Sequence, residues 1–98
     1  MQHDITVENN ATAKRFQAQV DGKRAFIQYR LQADQITYLH TEVPEALEGQ
    51  GIGSRLAKAA LDYARANHLK VVLLCPFVAA YIHRHTEYTE LLASQPHD

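Results

Sequence analysis

The stretch Val43-Pro44-Glu45-Ala46-Leu47-Glu48-Gly49-Gln50-Gly51-Ile52-Gly53-Ser54-Arg55-Leu56 constrains the fold more than any other part of the chain. An extended apolar segment stops at Pro44, a short acidic loop follows, and three glycines at alternate positions, Gly49, Gly51 and Gly53, open a helix. Glycine lets a backbone turn tightly and lets a ligand approach bare N–H groups. The first turn of a helix adds unpaired donors and the positive end of the helix dipole. Strand end, glycine loop and helix start, in that order, make a seat for a phosphate or pyrophosphate.

The residues before this stretch read as strands. Ile5 to Glu8 is a short strand and Asn9 to Lys14 a polar loop. From Arg15 the chain alternates, with Phe16, Ala18 and Val20 on one face and Arg15, Gln17 and Gln19 on the other. Asp21-Gly22 is a hairpin signal, because the favoured two-residue turns need positive φ. The partner strand places Ala25, Ile27, Tyr29 and Leu31 inward, and Ala33-Asp34-Gln35 turns the chain again. Gln35 to Val43 is a fourth strand, completing an antiparallel meander. One of its faces carries Ile36, Tyr38, His40 and Glu42, and the other Thr37, Leu39, Thr41 and Val43. Apolar residues on both faces mark a central strand.

From Ile52 to about His68 the pattern is helical, with Ile52, Leu56, Ala59, Ala60, Tyr63 and Ala64 as the apolar stripe. Arg55, Lys58, Asp62 and Arg65 form the solvent face. Val71-Val72-Leu73-Leu74 is a short apolar run of the kind found in buried parallel strands, and Cys75-Pro76 leads into a last helix to about Arg84. The tail from Ala93 to Asp98 is expected to fray. The expected fold is α+β, an α/β three-layer sandwich on a mixed sheet, with the helix joining the fourth and fifth strands as parallel neighbours.

At 98 residues the chain is a single domain, and its formal charge of −1 provides no general attraction for nucleic acid or an anionic membrane. The first four residues do not resemble a signal peptide, and the lone Cys75 suits a reducing compartment, so the expected location is cytoplasmic. Nothing in the sequence encodes an oligomeric state.

Two familiar phosphate loops do not fit. A dinucleotide-binding turn needs G-x-G-x-x-G after the first strand of a βαβ unit, whereas here the spacing is G-x-G-x-G after a meander. A Walker A loop needs Gly-Lys-Ser/Thr, which is absent. The segment Val43-Pro44-Glu45, then Gln50-Gly51-Ile52-Gly53-Ser54-x-Leu56, instead resembles the acyl-CoA signature of the GNAT N-acetyltransferase superfamily. His40-Thr41-Glu42-Val43-Pro44, Leu74-Cys75-Pro76 and Tyr81-Ile82-x-Arg84-His85 are similar to its small, single-domain YJDJ-type branch, over about residues 5–92.

That resemblance implies an acetyl-CoA-dependent N-acetyltransferase or, alternatively, a catalytically idle CoA-binding module acting as sensor or adaptor. The backbone of Gly49, Gln50, Gly51, Ile52, Gly53 and Ser54 would receive the CoA pyrophosphate, and the strand end at Val43 would pair with the pantetheine arm. The acceptor would be a small-molecule or peptide amine. Two features depart from the family pattern. Glu48 stands where many members carry Arg or Gln, and residues 9–14 are too few for the helices that usually build the acceptor pocket.

The catalytic candidates are Cys75, His40, Glu42 and Tyr81. Cys75 sits at a strand-to-helix junction, and reads either as a reactive thiol with His40 as its base or as a small buried hydrophobe. His40 and Glu42 share a strand face, where Glu42 could orient the imidazole; the alternative is a solvated polar pair. Tyr81 lies where the resemblance implies a tyrosine that protonates the CoA thiolate, or it is a packed aromatic. His83 and His85 project in different directions from one helix, so no metal is expected.

Overall fold

The computed structural model describes residues 5–93, so the expected fraying of residues 94–98 and the reading of Met1–Asp4 lie outside the described residues. Five strands form one sheet in sequence order: β1 (Val7–Asn10), β2 (Arg15–Val20), β3 (Lys23–Gln32), β4 (Gln35–Glu42) and β5 (Lys70–Leu73). The first four pair antiparallel and β4 pairs with β5 in parallel. Between them lie a 3-10 turn (Glu45–Leu47) and helix α1 (Ile52–Ala66); helix α2 (Pro76–Arg84) and a 3-10 segment (Thr86–Leu91) follow β5.

Local chemistry accounts for most of these elements. Asp21 and Gly22 both take positive φ, 53° and 77°, which matches the right-handed twist of the flanking strands. Helix α1 ends where His68 adopts φ 55° and Leu69 N–H reaches back to Ala64 O at 2.9 Å. Pro76 opens α2, where its missing N–H costs no helical bond. The first strand is shifted from its expected span. It covers Val7–Asn10, because Asn9 and Asn10 pair with Phe16 and Arg15, and Asn9 Oδ1 accepts the Tyr29 hydroxyl at 2.6 Å. Tertiary partners here outweigh the weak strand preference of asparagine.

The core is one cluster. Phe16, Ala18, Ala25, Ile27, Tyr29, Ile36 and Tyr38 of the sheet meet Ile52, Leu56, Ala57, Ala60, Leu61 and Ala64 of α1. The buried stripe of α1 thus runs through Ala57 and Leu61, while Tyr63 is only half-buried at its margin. The Tyr38 hydroxyl donates to Ala60 O at 2.6 Å, which satisfies the one polar atom that ring brings inside. Leu31, expected inward, is 38% exposed at the far end of β3.

The α+β class and the mixed sheet stand as expected. After β5, the chain crosses by α2 and returns at Leu92 to bridge Val71 in parallel, so two successive crossovers step the same way along the sheet. Right-handed crossovers in one direction place both helices on one face. Contacts from the 3-10 segment after α2 to α1 agree: Tyr88 hydroxyl donates to Asp62 Oδ1 at 2.6 Å, and Arg65 Nη2 donates to Glu87 O at 2.6 Å. The opposite face carries Arg15, Gln17, Phe26, Gln28 and His40, half-buried or exposed. Among the described residues the sandwich therefore has two layers, and the outer sheet face is open.

Candidate functional site

A single extra residue in β4 organises the site. Tyr29 lies opposite Tyr38, yet the next residue of β3 back, Gln28, lies opposite His40, leaving Leu39 as a bulge. Side chains alternate along a strand, so one unmatched residue reverses the facing of everything beyond it. Ile36 and Tyr38 point into the core. Past the bulge, Thr41 shares the inner face with Ile27, while His40 and Glu42 join Gln28 and Phe26 on the open outer face.

This corrects the expected arrangement, in which Ile36, Tyr38, His40 and Glu42 line one face. It also separates His40 from Cys75. Cys75 is 2% exposed, and its Sγ lies 3.0 Å from Thr41 Oγ1 on the inner side. His40 Nε2 lies 2.7 Å from Glu42 Oε2 in the open, and its ring meets Phe26 edge-on at 5.9 Å. The guanidinium of Arg15 covers the same Phe26 ring at 4.3 Å. Glu42 and His40 are thus brought together as expected, Thr41 takes the place expected for His40 beside the thiol, and the sheet lies between the two pairs.

Beyond the bulge β4 also loses its parallel neighbour. The β4–β5 ladder ends at Tyr38 opposite Leu73, with a last bond from Leu74 N–H to Tyr38 O at 3.0 Å. Among the described residues, the strand from Leu39 to Glu42 keeps β3 on one side and has no strand on the other. The gap opens into a cleft of about 840 Å³. It is lined by Thr41, Glu42 and Val43 at the end of β4, by Pro44, Leu47, Glu48 and Gly49 after it, and by Phe77 of α2. An unpaired strand edge beside an apolar slot can take an extended ligand by backbone hydrogen bonds.

The glycine loop lies next to this cleft. Gly49 and Gly51 take φ of 86° and 76°, with open space where a Cβ would stand. Gly51 is the N-cap of α1 and supplies no side-chain cap. Arg55 is the first residue whose amide finds a helical acceptor, Gly51 O at 3.1 Å, so the amides of Ile52, Gly53 and Ser54 precede the ladder. The Ile52 side chain is buried and anchors the helix, leaving only its backbone for a ligand. Gln50 turns its side chain back to Ala46 O at 3.4 Å. The cleft lining contains two carboxylates, Glu42 and Glu48, and no lysine or arginine.

Tyr81 is 6% exposed, stacked on His85 at 4.1 Å, and is not among the cleft residues. Burial pushes its hydroxyl pKa above the ordinary tyrosine range. The described residues hold no group of three or more metal-binding side chains. Sequence reasoning passed over Thr41, Leu47 and Phe77. No local pattern marks them, because their place in the site depends on the bulge and on how α2 lies against α1.

Comparison with known proteins bears on the family and the fold. Residues 15–91 match the family model described as GCN5-related N-acetyl-transferase. Protein NATD1 of Mus musculus is 38% identical over 81 residues, covering 80% of this chain and 74% of that protein. Protein NATD1 of Homo sapiens is likewise 38% identical, with 72% of its length covered. A GCN5-like protein of Staphylococcus aureus, solved by NMR, superposes with a TM-score of 0.72 at 28% identity, over 94% of this chain and 91% of that one. The chain therefore belongs to the GCN5-related N-acetyltransferase family.

Proposed function

We propose that this protein transfers an acetyl group from acetyl-CoA to an amine. The observation that carries the reading is the gap between β4 and β5, opening beside a glycine loop whose helical amides are uncapped. In this reading Gly49 to Ser54 receive the pyrophosphate. The free edge of β4 up to Val43 pairs with the pantetheine arm, and a backbone amide there polarises the thioester carbonyl. The amine nitrogen bonds to the carbonyl carbon, the C–S bond breaks, and the ammonium proton passes to His40, which Glu42 orients. The departing thiolate takes a proton from Tyr81 relayed by solvent, since that side chain is buried outside the cleft lining.

The acceptor approaches from the open sheet face, where larger relatives place helices. Glu42 and Glu48 favour an amine that arrives as an ammonium ion and carries no carboxylate of its own. A location in the cytoplasm fits the lone cysteine. Among the described residues, no helix is long and apolar enough to cross a membrane.

Direct transfer is favoured over an acyl-cysteine, because the thiol of Cys75 faces Thr41 and the sheet separates it from His40. The same separation, together with the uncovered outer face, supports the second reading, a CoA-binding module without turnover. Two measurements decide. Acetyl-CoA is expected to raise the melting temperature, since a ligand that binds only the folded chain stabilises it; no shift at millimolar acetyl-CoA rejects both readings. Steady CoA release with a panel of carboxylate-free amines selects the enzyme, and binding without release selects the module.

A further inference from the structure

The three alternate glycines do not serve one purpose. Gly49 and Gly51 are held at positive φ with nothing within 4 Å of a built Cβ, so conformation requires them. Gly53 has ordinary helical backbone, and there a Cβ would lie 2.6 Å from Phe77 Cζ and 3.2 and 3.3 Å from the two Cε atoms. A side chain at Gly53 is excluded by a ring. Phe77 sits one residue after Pro76 at the start of α2, is 37% exposed, and lines the cleft from the side opposite β4.

We propose that Phe77 is a specificity-determining wall of the cleft, setting the width of the slot that takes the pantetheine arm, and that Gly53 is glycine to seat this ring. The proposal rests on the acyl-CoA reading of the cleft and assigns it a residue. Among the described residues no strand closes the cleft on the β5 side beyond Leu74, and Phe77 is the part of α2 that reaches it. A ring lying against a bare Cα can sit closer to α1 than any side chain would allow, and the slot gains that space. The ring edge is the movable partner in the contact. A methyl group at Gly53 therefore displaces Phe77 toward the cleft, leaving the helix in place.

The test is a double-mutant cycle by calorimetric titration of the full chain with acetyl-CoA, using Gly53→Ala, Phe77→Ala and the pair. Gly53→Ala alone is expected to weaken binding about tenfold or more, the scale of overfilling a fitted site. With Phe77→Ala already present, adding Gly53→Ala is expected to change binding by less than about twofold, because the two residues act through one contact and their effects do not add. NMR of the ligand-free proteins is expected to show the Phe77 ring resonances moved in Gly53→Ala while those of Ile27 and Phe16 stay put. Equal weakening by Gly53→Ala in both backgrounds overturns the proposal, because the glycine would then be serving the phosphate. Unchanged binding in Gly53→Ala overturns it too. Absence of binding by the wild-type chain removes the acyl-CoA reading and the slot with it, while unmoved Phe77 resonances reject the seating contact whether or not acetyl-CoA binds.

Discussion

Replacing Gly51 by alanine separates the two demands placed on the glycine loop. Gly51 stands at φ 76° as the N-cap of α1, and a Cβ there meets no atom within 4 Å. The cost of the substitution is therefore conformational, with no steric clash. Holding an L-residue in the left-handed region costs about 1–2 kcal/mol. For a domain of this size each kcal/mol moves the melting temperature by about 4–8 °C, so the ligand-free Gly51→Ala protein is expected to melt roughly 4–16 °C lower. Gly22, at φ 77° in the β2–β3 hairpin, also has open space around it, so Gly22→Ala is expected to cost about as much. The two variants part company when acetyl-CoA is added. At one hundred times its Kd, a ligand stabilises by about 2.7 kcal/mol. Gly22→Ala should keep that gain, whereas Gly51→Ala should lose most of it, since the new methyl stands where the uncapped amides open to solvent. Differential scanning fluorimetry with and without acetyl-CoA measures all four values. A Gly51→Ala protein that melts like wild type refutes the backbone argument. One that melts lower and retains the full ligand shift refutes the phosphate seat.

Other expectations follow from the site and its supports. His40→Ala should lower CoA release with an amine by about 10²–10⁴-fold, the range for losing a general base, while the acetyl-CoA thermal shift survives; unchanged turnover removes His40 from the mechanism. Cys75→Ala should retain turnover, and intact-protein mass spectrometry of wild type after exposure to acetyl-CoA should show no acetyl adduct that this substitution abolishes. Such an adduct would restore the covalent route. Burial pushes the Asp62 carboxyl up, but hydrogen bonds from Lys58 and Tyr88 outweigh it and hold its pKa below the ordinary value. A folded pKa below the unfolded one gives stability that is present above the unfolded pKa, near 4, and lost as pH falls through the folded one. Asp62→Asn should therefore flatten the acid side of a melting-temperature profile below about pH 4, and an unaltered acid limb would show that this latch does not couple to protonation.

Much of this protein was legible without coordinates, wherever the determining interaction is short in range. The β2–β3 hairpin follows from alternation and from Asp21-Gly22. Helix α1 follows from its periodicity, and the β5 run from its unbroken apolar residues. The loop between Pro44 and Ile52 could be placed as a phosphate seat because glycine spacing before a helix is itself a local geometric requirement; its family came from the resemblance of the loop and its flanking motifs. The boundaries of β1 were less accessible, since Asn9 and Asn10 become strand only through Phe16, Arg15 and Tyr29.

What tertiary structure alone decided is which side of the sheet each reactive group occupies. His40, Glu42 and Cys75 were visible as candidates, but strict alternation put His40 and Glu42 on the face of Ile36 and Tyr38, and it passed over Thr41, which meets the thiol. The bulge at Leu39 is a property of how β3 and β4 register against each other, and no residue in β4 announces it. One unmatched residue sent His40 and Glu42 to the open face and turned Thr41 toward Cys75, at the point where the β4–β5 ladder ends. Likewise, the run of three glycines reads as a single motif in the sequence, and only the packing of α2 on α1 shows that Gly53 answers to Phe77. Periodicity and turn chemistry are written residue by residue; register and contact belong to pairs of segments, and those are settled only when the chain has closed on itself.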